Sequence, residues 1–174
     1  MPAKTIVITG PESTGKTTLS AQLAAHFQSP WLPEYARGYI DNLNKPYAES
    51  DLLEIAKGQV AAEKEAIKNA ANVIFLDTSL EVIKIWSEVK YGHCHPWILQ
   101  QIEKRKHHLY LLCQPDIPWQ PDPQRENPDD RDQLFNLYLH ELTKQNTNFV
   151  TISGSKNIRF TNAINYVESY IYIS

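Results

Sequence analysis

The stretch Gly10-Pro11-Glu12-Ser13-Thr14-Gly15-Lys16-Thr17-Thr18 fits the pattern G-x-x-x-x-G-K-[ST], and its reading decides the fold. The run before it, Lys4-Thr5-Ile6-Val7-Ile8-Thr9, reads as a short buried strand. The residues after it, from Thr18 to Phe27, set Leu19, Leu23 and Phe27 on one face of a helix. Strand, glycine loop and helix are the context the pattern requires. The glycines let the backbone turn so that successive N–H groups point into one concavity at the positive end of the helix dipole. A polyphosphate such as that of ATP fits there, cradled by Gly10, Ser13, Thr14, Gly15 and Thr18. Lys16 would reach the β- and γ-phosphates, and the Thr17 hydroxyl would ligate Mg²⁺.

Working outward, 174 residues suit one domain with a core large enough to need no disulfide or metal staple. A net charge of −3 without a Lys/Arg cluster argues against a nucleic-acid partner. The chain enters its first strand almost at once, which leaves no room for a signal peptide, and no apolar run approaches membrane-spanning length. Two cysteines, Cys94 and Cys113, make no disulfide framework, so a cytoplasmic protein with reduced thiols is expected.

Ser29-Pro30-Trp31-Leu32-Pro33 is bounded by prolines and can form only a brief strand, which delivers Glu34-Tyr35-Ala36-Arg37 to the sheet edge where ligands bind. Residues 37–73 read as a long helical excursion, with Leu53, Ala56, Val60 and Ile67 in one stripe and a cap at Ala48-Glu49-Ser50-Asp51. Val73-Ile74-Phe75-Leu76-Asp77 is a buried strand ending in a carboxylate. Helices over Leu80 to Lys90 and Trp97 to His107 flank a turn at Tyr91-Gly92-His93-Cys94-His95-Pro96, and Leu109 to Cys113 is the fourth strand. Gln114 to Asp132 then holds five prolines, six acids and only two cations, Arg125 and Arg131; a stretch of that kind inside a domain reads as a lid. Leu134, Leu137, Tyr138 and Leu142 restore a helix, Phe149 to Ile152 is the fifth strand, and Ala163, Ile164, Val167 and Ile171 mark a closing helix. The whole chain, residues 1–174, is expected to form one α/β domain. The expected fold is the three-layer P-loop NTPase fold, with a five-stranded parallel sheet, helices on both faces and a lid at about 114–132.

Asp77 stands where a metal-binding carboxylate opposite Thr17 is needed, because Mg²⁺ is a hard cation that takes few protein oxygens. The alternative is a cap on the following helix, a task for which Thr78 and Ser79 are better suited. Glu34 is the first candidate to orient an acceptor hydroxyl and take its proton; a surface ion pair with Arg37 is the alternative. Arg125 and Arg131 would stabilise charge on a transferred phosphoryl group when the lid closes, or would neutralise Asp129, Asp130 and Asp132. Trp86, Trp97 and Trp119 read as core or cleft walls, one of which suits a flat aromatic base. His93, His95, His107 and His108 match no zinc spacing. Glu12 sets an acid beside the phosphate site, for which the sequence offers no account.

Taken in order, the P-loop, Glu34-Tyr35-Ala36-Arg37, Phe75-Leu76-Asp77-Thr78, and Tyr91-Gly92 with His95-Pro96 resemble the ribosylnicotinamide kinase domain of the bacterial NadR type. The likeness runs from the P-loop to about Leu142. It implies a P-loop kinase with the sheet order of nucleoside monophosphate kinases, transferring phosphate from ATP with Mg²⁺ to the 5′-hydroxyl of nicotinamide riboside. It also implies that Lys16, Glu34, Asp77, Arg125 and Arg131 carry the chemistry, that Thr17 and Asp77 hold metal, and that Gly154 lies at the adenine seat. Glu34, Tyr35, Arg37, Asp77, Trp86 and Tyr91 would meet the nucleoside. NadR proteins also carry a helix-turn-helix and an adenylyltransferase domain; neither is read in these residues, so DNA regulation and dinucleotide synthesis are not carried over. A kinase for another small hydroxylated acceptor and an AAA-like ATP-binding regulatory module stay open. Lys156 and Arg159 are the cations that such a module could use, or that could pack on adenine.

Overall fold

The computed structural model describes residues 3–105, 107 and 109–172. Its centre is β1 (Lys4–Thr9), whose Ile6, Val7 and Ile8 are fully buried, as expected for a strand covered on both faces. The sheet order is β2 (Trp31–Leu32), β3 (Val73–Asp77), β1, β4 (Leu109–Cys113), β5 (Phe149–Ile152), and every pairing is parallel. Ile8 lies opposite Asp77 on one side and Leu111 on the other. The chain builds one half of the sheet through β3 and then crosses β1 to build the other. The crevice at that reversal is bordered by the C-terminal ends of β1, β3 and β4, the place where open α/β sheets bind ligands.

Helices α1 (Lys16–His26) and α7 (Lys156–Tyr172) cover one face, where Leu19, Leu23, Ala163 and Val167 pack on Ile6, Ile8, Phe75 and Leu111. Helices α4 (Leu80–Tyr91) and α6 (Arg131–Lys144) cover the other, with Ile85, Leu134, Tyr138 and Leu142 against Val7, Ile74, Leu76 and Leu112. Successive strand residues thus serve opposite layers. A third cluster joins α2 (Tyr35–Asp41), α3 (Glu49–Asn69), α4 and α5 (Pro96–Lys104) through Leu52, Ile55, Ile83 and Ile98. Each such side chain contributes about 2 kcal/mol on burial, enough in sum to make this excursion a firm wall.

Several boundaries differ from the sequence reading. The helical excursion expected over 37–73 is two helices separated by residues 42–48, where Pro46 disfavours helix at the residue before it, and the second starts at the expected cap. The chain restarts where the Ala48 N–H donates to the Asp51 carboxylate at 2.7 Å. Helix α1 begins at Lys16 and α7 at Lys156, earlier than their apolar stripes suggest. Helix α5 ends at Lys104, short of the expected His107; Arg105 is extended and its guanidinium pairs with buried Glu63 of α3.

The exit from β1 is tightly constrained. Gly10 has φ +131°, and a Cβ there would stand 2.6 Å from the Cys113 carbonyl oxygen at the end of β4. Gly10→Ala is therefore expected to cost about 2 kcal/mol of stability through strain and clash. A denaturant melt checks this, and an unchanged midpoint would contradict the tight apposition of β1 and β4.

Candidate functional site

The loop that leaves β1 turns at Gly15, φ +77°, and runs directly into α1, whose first turn carries no side-chain cap. Those N–H groups are thus left for a ligand of negative charge. The Lys16 ammonium donates to the Pro11 carbonyl at 2.7 Å, and the Thr17 hydroxyl donates to Asp77 Oδ2 at 2.6 Å. Asp77 is 1% exposed, and its Oδ1 is buried with no hydrogen-bond partner among the described residues. The chain turns sharply beyond it: Thr78 has φ +71° and its N–H donates to the Ile8 carbonyl at 2.9 Å. Burial pushes the Asp77 carboxyl up, against the Thr17 hydroxyl and the charges of Lys16 and Arg37. A hydroxyl and a carboxylate with a free oxygen form a hard-oxygen donor pair that suits Mg²⁺. Ser79, not Asp77, holds the N-cap position of α4.

The loop opens into a cleft of about 510 Å³, within the usual range for a small-molecule site. Glu34, half-buried at the start of α2, lines it together with Arg37. Burial is the main cause that raises the Glu34 carboxyl above its ordinary range; Lys16 pulls it back and Asp77 pushes it further up. Arg37 pairs not with Glu34 but with Asp122, at 3.1 Å. From α4, Trp86 lines the cleft and is fixed edge-on against Tyr47, ring centroids 4.8 Å apart, while its indole N–H donates to the Tyr47 hydroxyl at 2.9 Å. Tyr138 of α6 is a buried part of the lining.

The proline-rich stretch expected as a lid to residue 132 ends at residue 130, because Arg131 opens α6, and this loop over 114–130 bridges the two sides. Ser13 Oγ accepts the Gln120 N–H at 2.8 Å, and the Glu12 carboxylate accepts the N–H groups of Glu126 and Asn127 at 3.1 and 3.0 Å. Toward the other wall, the Tyr47 hydroxyl and the Lys90 ammonium donate to the Glu126 carboxylate at 2.9 and 3.0 Å. Asp122 joins Arg37 there, and the Gln124 N–H and the Arg37 guanidinium hold its carboxyl below the usual range.

The expected residues separate into two groups. Gly10, Ser13, Thr14, Gly15, Lys16, Thr17, Thr18, Glu34, Arg37, Trp86 and Arg125 all line one cleft, and Asp77 lies beneath it on Thr17. Tyr35, Tyr91, Arg131 and Gly154 do not form its lining. The Tyr35 ring lies on α3 at Gly58, and Tyr91 packs in the helical cluster. Arg131 donates to the carbonyls of Ser13 and Ile117 at 3.2 and 3.0 Å, and the Gly154 N–H donates to Asp116 at 2.6 Å. His95 caps α5 by accepting the Trp97 N–H at 3.1 Å, and His93 meets Glu49 at 2.6 Å; His108 lies outside the described residues.

Two further residues have roles set by tertiary contacts rather than by their sequence neighbours. Arg159, 3% exposed, donates to the carbonyls of Thr14 and Gln114 at 3.2 and 3.1 Å and pairs with Asp116, so it ties the phosphate loop to β4 and α7. A signal existed: Arg159 sits on the same stripe as Ala163 and Val167, a charge on an otherwise apolar face. The second is Glu12, whose carboxylate serves the neighbouring loop.

Comparison with known proteins agrees with this geometry. A family model described as AAA domain matches residues 5–159. The chain is 30% identical over 157 residues to the trifunctional NAD biosynthesis/regulator protein NadR of Escherichia coli (strain K12), covering 86% of this chain and 38% of that protein. It therefore spans less than half the length of that curated relative. A crystal structure of a NadR protein in complex with NR superposes with a TM-score of 0.84 at 22% identity, over 99% of this chain and 52% of that one. A NadR protein in complex with NAD and AMP-PNP gives 0.81 at 24%, over 99% of this chain and 50% of that one. At those identities the superpositions show the fold. Among the described residues, no helix is long and apolar enough to cross a membrane. The chain belongs to the AAA domain family, as a kinase-like P-loop domain of the NadR type.

Proposed function

We propose that this domain is an ATP-dependent kinase that phosphorylates the 5′-hydroxyl of nicotinamide riboside to give nicotinamide mononucleotide. The observation that carries the proposal is a single cleft in which a phosphate loop faces a half-buried carboxylate, Glu34, and an edge-clamped indole, Trp86. The relative's role in NAD biosynthesis and the NadR complexes with NR and AMP-PNP support this choice of substrates. Phosphoryl transfer needs positioning and charge stabilisation more than covalent chemistry, and the residues suit those tasks. The P-loop amides and Lys16 bind the triphosphate. Thr17 and Asp77 would hold Mg²⁺, which when bound neutralises charge on the phosphate oxygens. Glu34 hydrogen-bonds the acceptor hydroxyl and takes its proton as the oxygen attacks the γ-phosphorus, and the bond to the ADP leaving oxygen breaks. Arg37 and Trp86 orient the riboside. Residues 114–130 act as the lid, and Arg125 is brought by it to the transferred group.

The direct test is ATP consumption by the purified protein with Mg²⁺, comparing nicotinamide riboside with a panel of nucleosides, nucleotides and no acceptor. Stoichiometric nicotinamide mononucleotide is expected. Turnover with a different acceptor would replace the substrate, and no acceptor-dependent turnover would favour a binding module.

A proton acceptor must be ionised, and the Glu34 carboxyl lies above its ordinary range, so kcat/KM should fall on acidification along a limb displaced upward from that range. Glu34→Gln should lower kcat by about 10²-fold with little change in nucleotide affinity. An equal loss in nucleotide binding would make the role structural.

Asp77 gives a test of opposite sign. Its raised carboxyl means that ionisation opposes folding, so nucleotide-free Asp77→Asn should be more stable than wild type at pH 8. That gain should shrink as the pH falls and the wild-type carboxyl protonates, while Mg²⁺-dependent turnover is lost. Thermal melts at pH 8 and pH 5, with a metal titration, check both; a destabilised variant with an unchanged metal titration would contradict the assignment.

A further inference from the structure

An acid in the phosphate loop stands close to where negative charge is to bind, and its surroundings explain it. The Glu12 carboxylate is spent on two successive lid amides, those of Glu126 and Asn127, at 3.1 and 3.0 Å. The residue just before them is Arg125, the lid cation that lines the cleft. Its guanidinium donates to the Gln120 carbonyl, and Gln120 is itself held by Ser13 of the phosphate loop at 2.8 Å. Pro123 and Pro128 bracket this segment and fix φ at its two ends, so clamping the two amides orients everything between them. Glu126 adds a second function: its N–H is held by the phosphate loop while its side chain is held by Tyr47 and Lys90 of the acceptor wall.

We propose that Glu12 is a positioning residue: it latches the lid to the phosphate loop through the Glu126 and Asn127 amides, and thereby sets Arg125 over the transfer site. Only the catalytic consequence rests on the kinase reading; the latch itself is a property of the nucleotide-free chain.

Hydrogen exchange on the full chain without substrates tests the latch. In wild type the amides of residues 126 and 127 should be protected. Glu12→Ala should speed their exchange about tenfold or more with β1 amides unchanged, and Glu12→Gln, whose amide oxygen still accepts, should stay within about threefold of wild type. Equal exchange in all three proteins would overturn the latch. In turnover assays Glu12→Ala should lower kcat about tenfold with the KM for ATP within about threefold, Glu12→Gln should recover most of it, and Glu12→Ala combined with Arg125→Ala should be no slower than Arg125→Ala alone. Additive losses would show that Glu12 does not act through Arg125. An inactive wild-type protein would refute the kinase reading, and the exchange comparison would still decide the latch.

Discussion

The hydrogen bond from the Thr17 hydroxyl to Asp77, 2.6 Å long, is the interaction on which the site depends, because it joins the first turn of α1 to the end of β3 across the crevice of the sheet. Burying a carboxylate to 1% exposure is costly, and one hydroxyl does not satisfy it. The fold supports that cost from around it. Ile8 and Asp77 are paired in register, the Thr78 N–H is fixed on the Ile8 carbonyl, and Gly10 brings the loop against the end of β4. A group kept in this state without full satisfaction is a mark of a functional site, since a hydrophobic or amide replacement would serve stability better.

From this fixed point the rest of the cleft follows as two walls and a bridge. One wall is the phosphate loop, braced from behind by the guanidinium of Arg159, which reaches the Thr14 and Gln114 carbonyls. The other is the helical excursion, whose own apolar cluster places Glu34, Arg37 and Trp86 at the cleft. The acidic, proline-rich loop bridges them. Its composition has a physical reason: Asp122 and Glu126 meet Arg37 and Lys90 on the helical wall, and its N–H groups meet Glu12 and Ser13 on the other. The prolines lower the number of conformations that the loop must give up to be held at both sides.

The parts of this arrangement legible in the sequence were those encoded locally. The P-loop is contiguous, and the apolar runs of β1, β3 and β4 are bounded by turn residues, so the fold, the cleft and the position of Asp77 followed directly. Pairings set by tertiary contact did not. Nothing near Arg37 in sequence indicates that its partner is Asp122, and Glu12 is explained only by amides more than a hundred residues away. Tyr35 shares a motif with Glu34 and Arg37, yet one step along a helix turns its ring onto α3 at Gly58. The break at residues 42–48 is signalled by Pro46, and the cap at Ala48 marks where α3 begins. Arg159 was visible as a charge on an apolar stripe; its partners were not.

The central claim is that one cleft holds a nucleoside triphosphate at the phosphate loop and nicotinamide riboside at the Glu34, Arg37 and Trp86 wall at the same time. Calorimetric titration of the riboside into protein already saturated with Mg²⁺ and a non-hydrolysable ATP analogue tests this most directly. The account predicts one riboside bound per chain in the ternary complex, with that affinity weakened by Trp86→Ala while affinity for the nucleotide is retained. Competition between the two ligands, or no riboside binding at all, would contradict it.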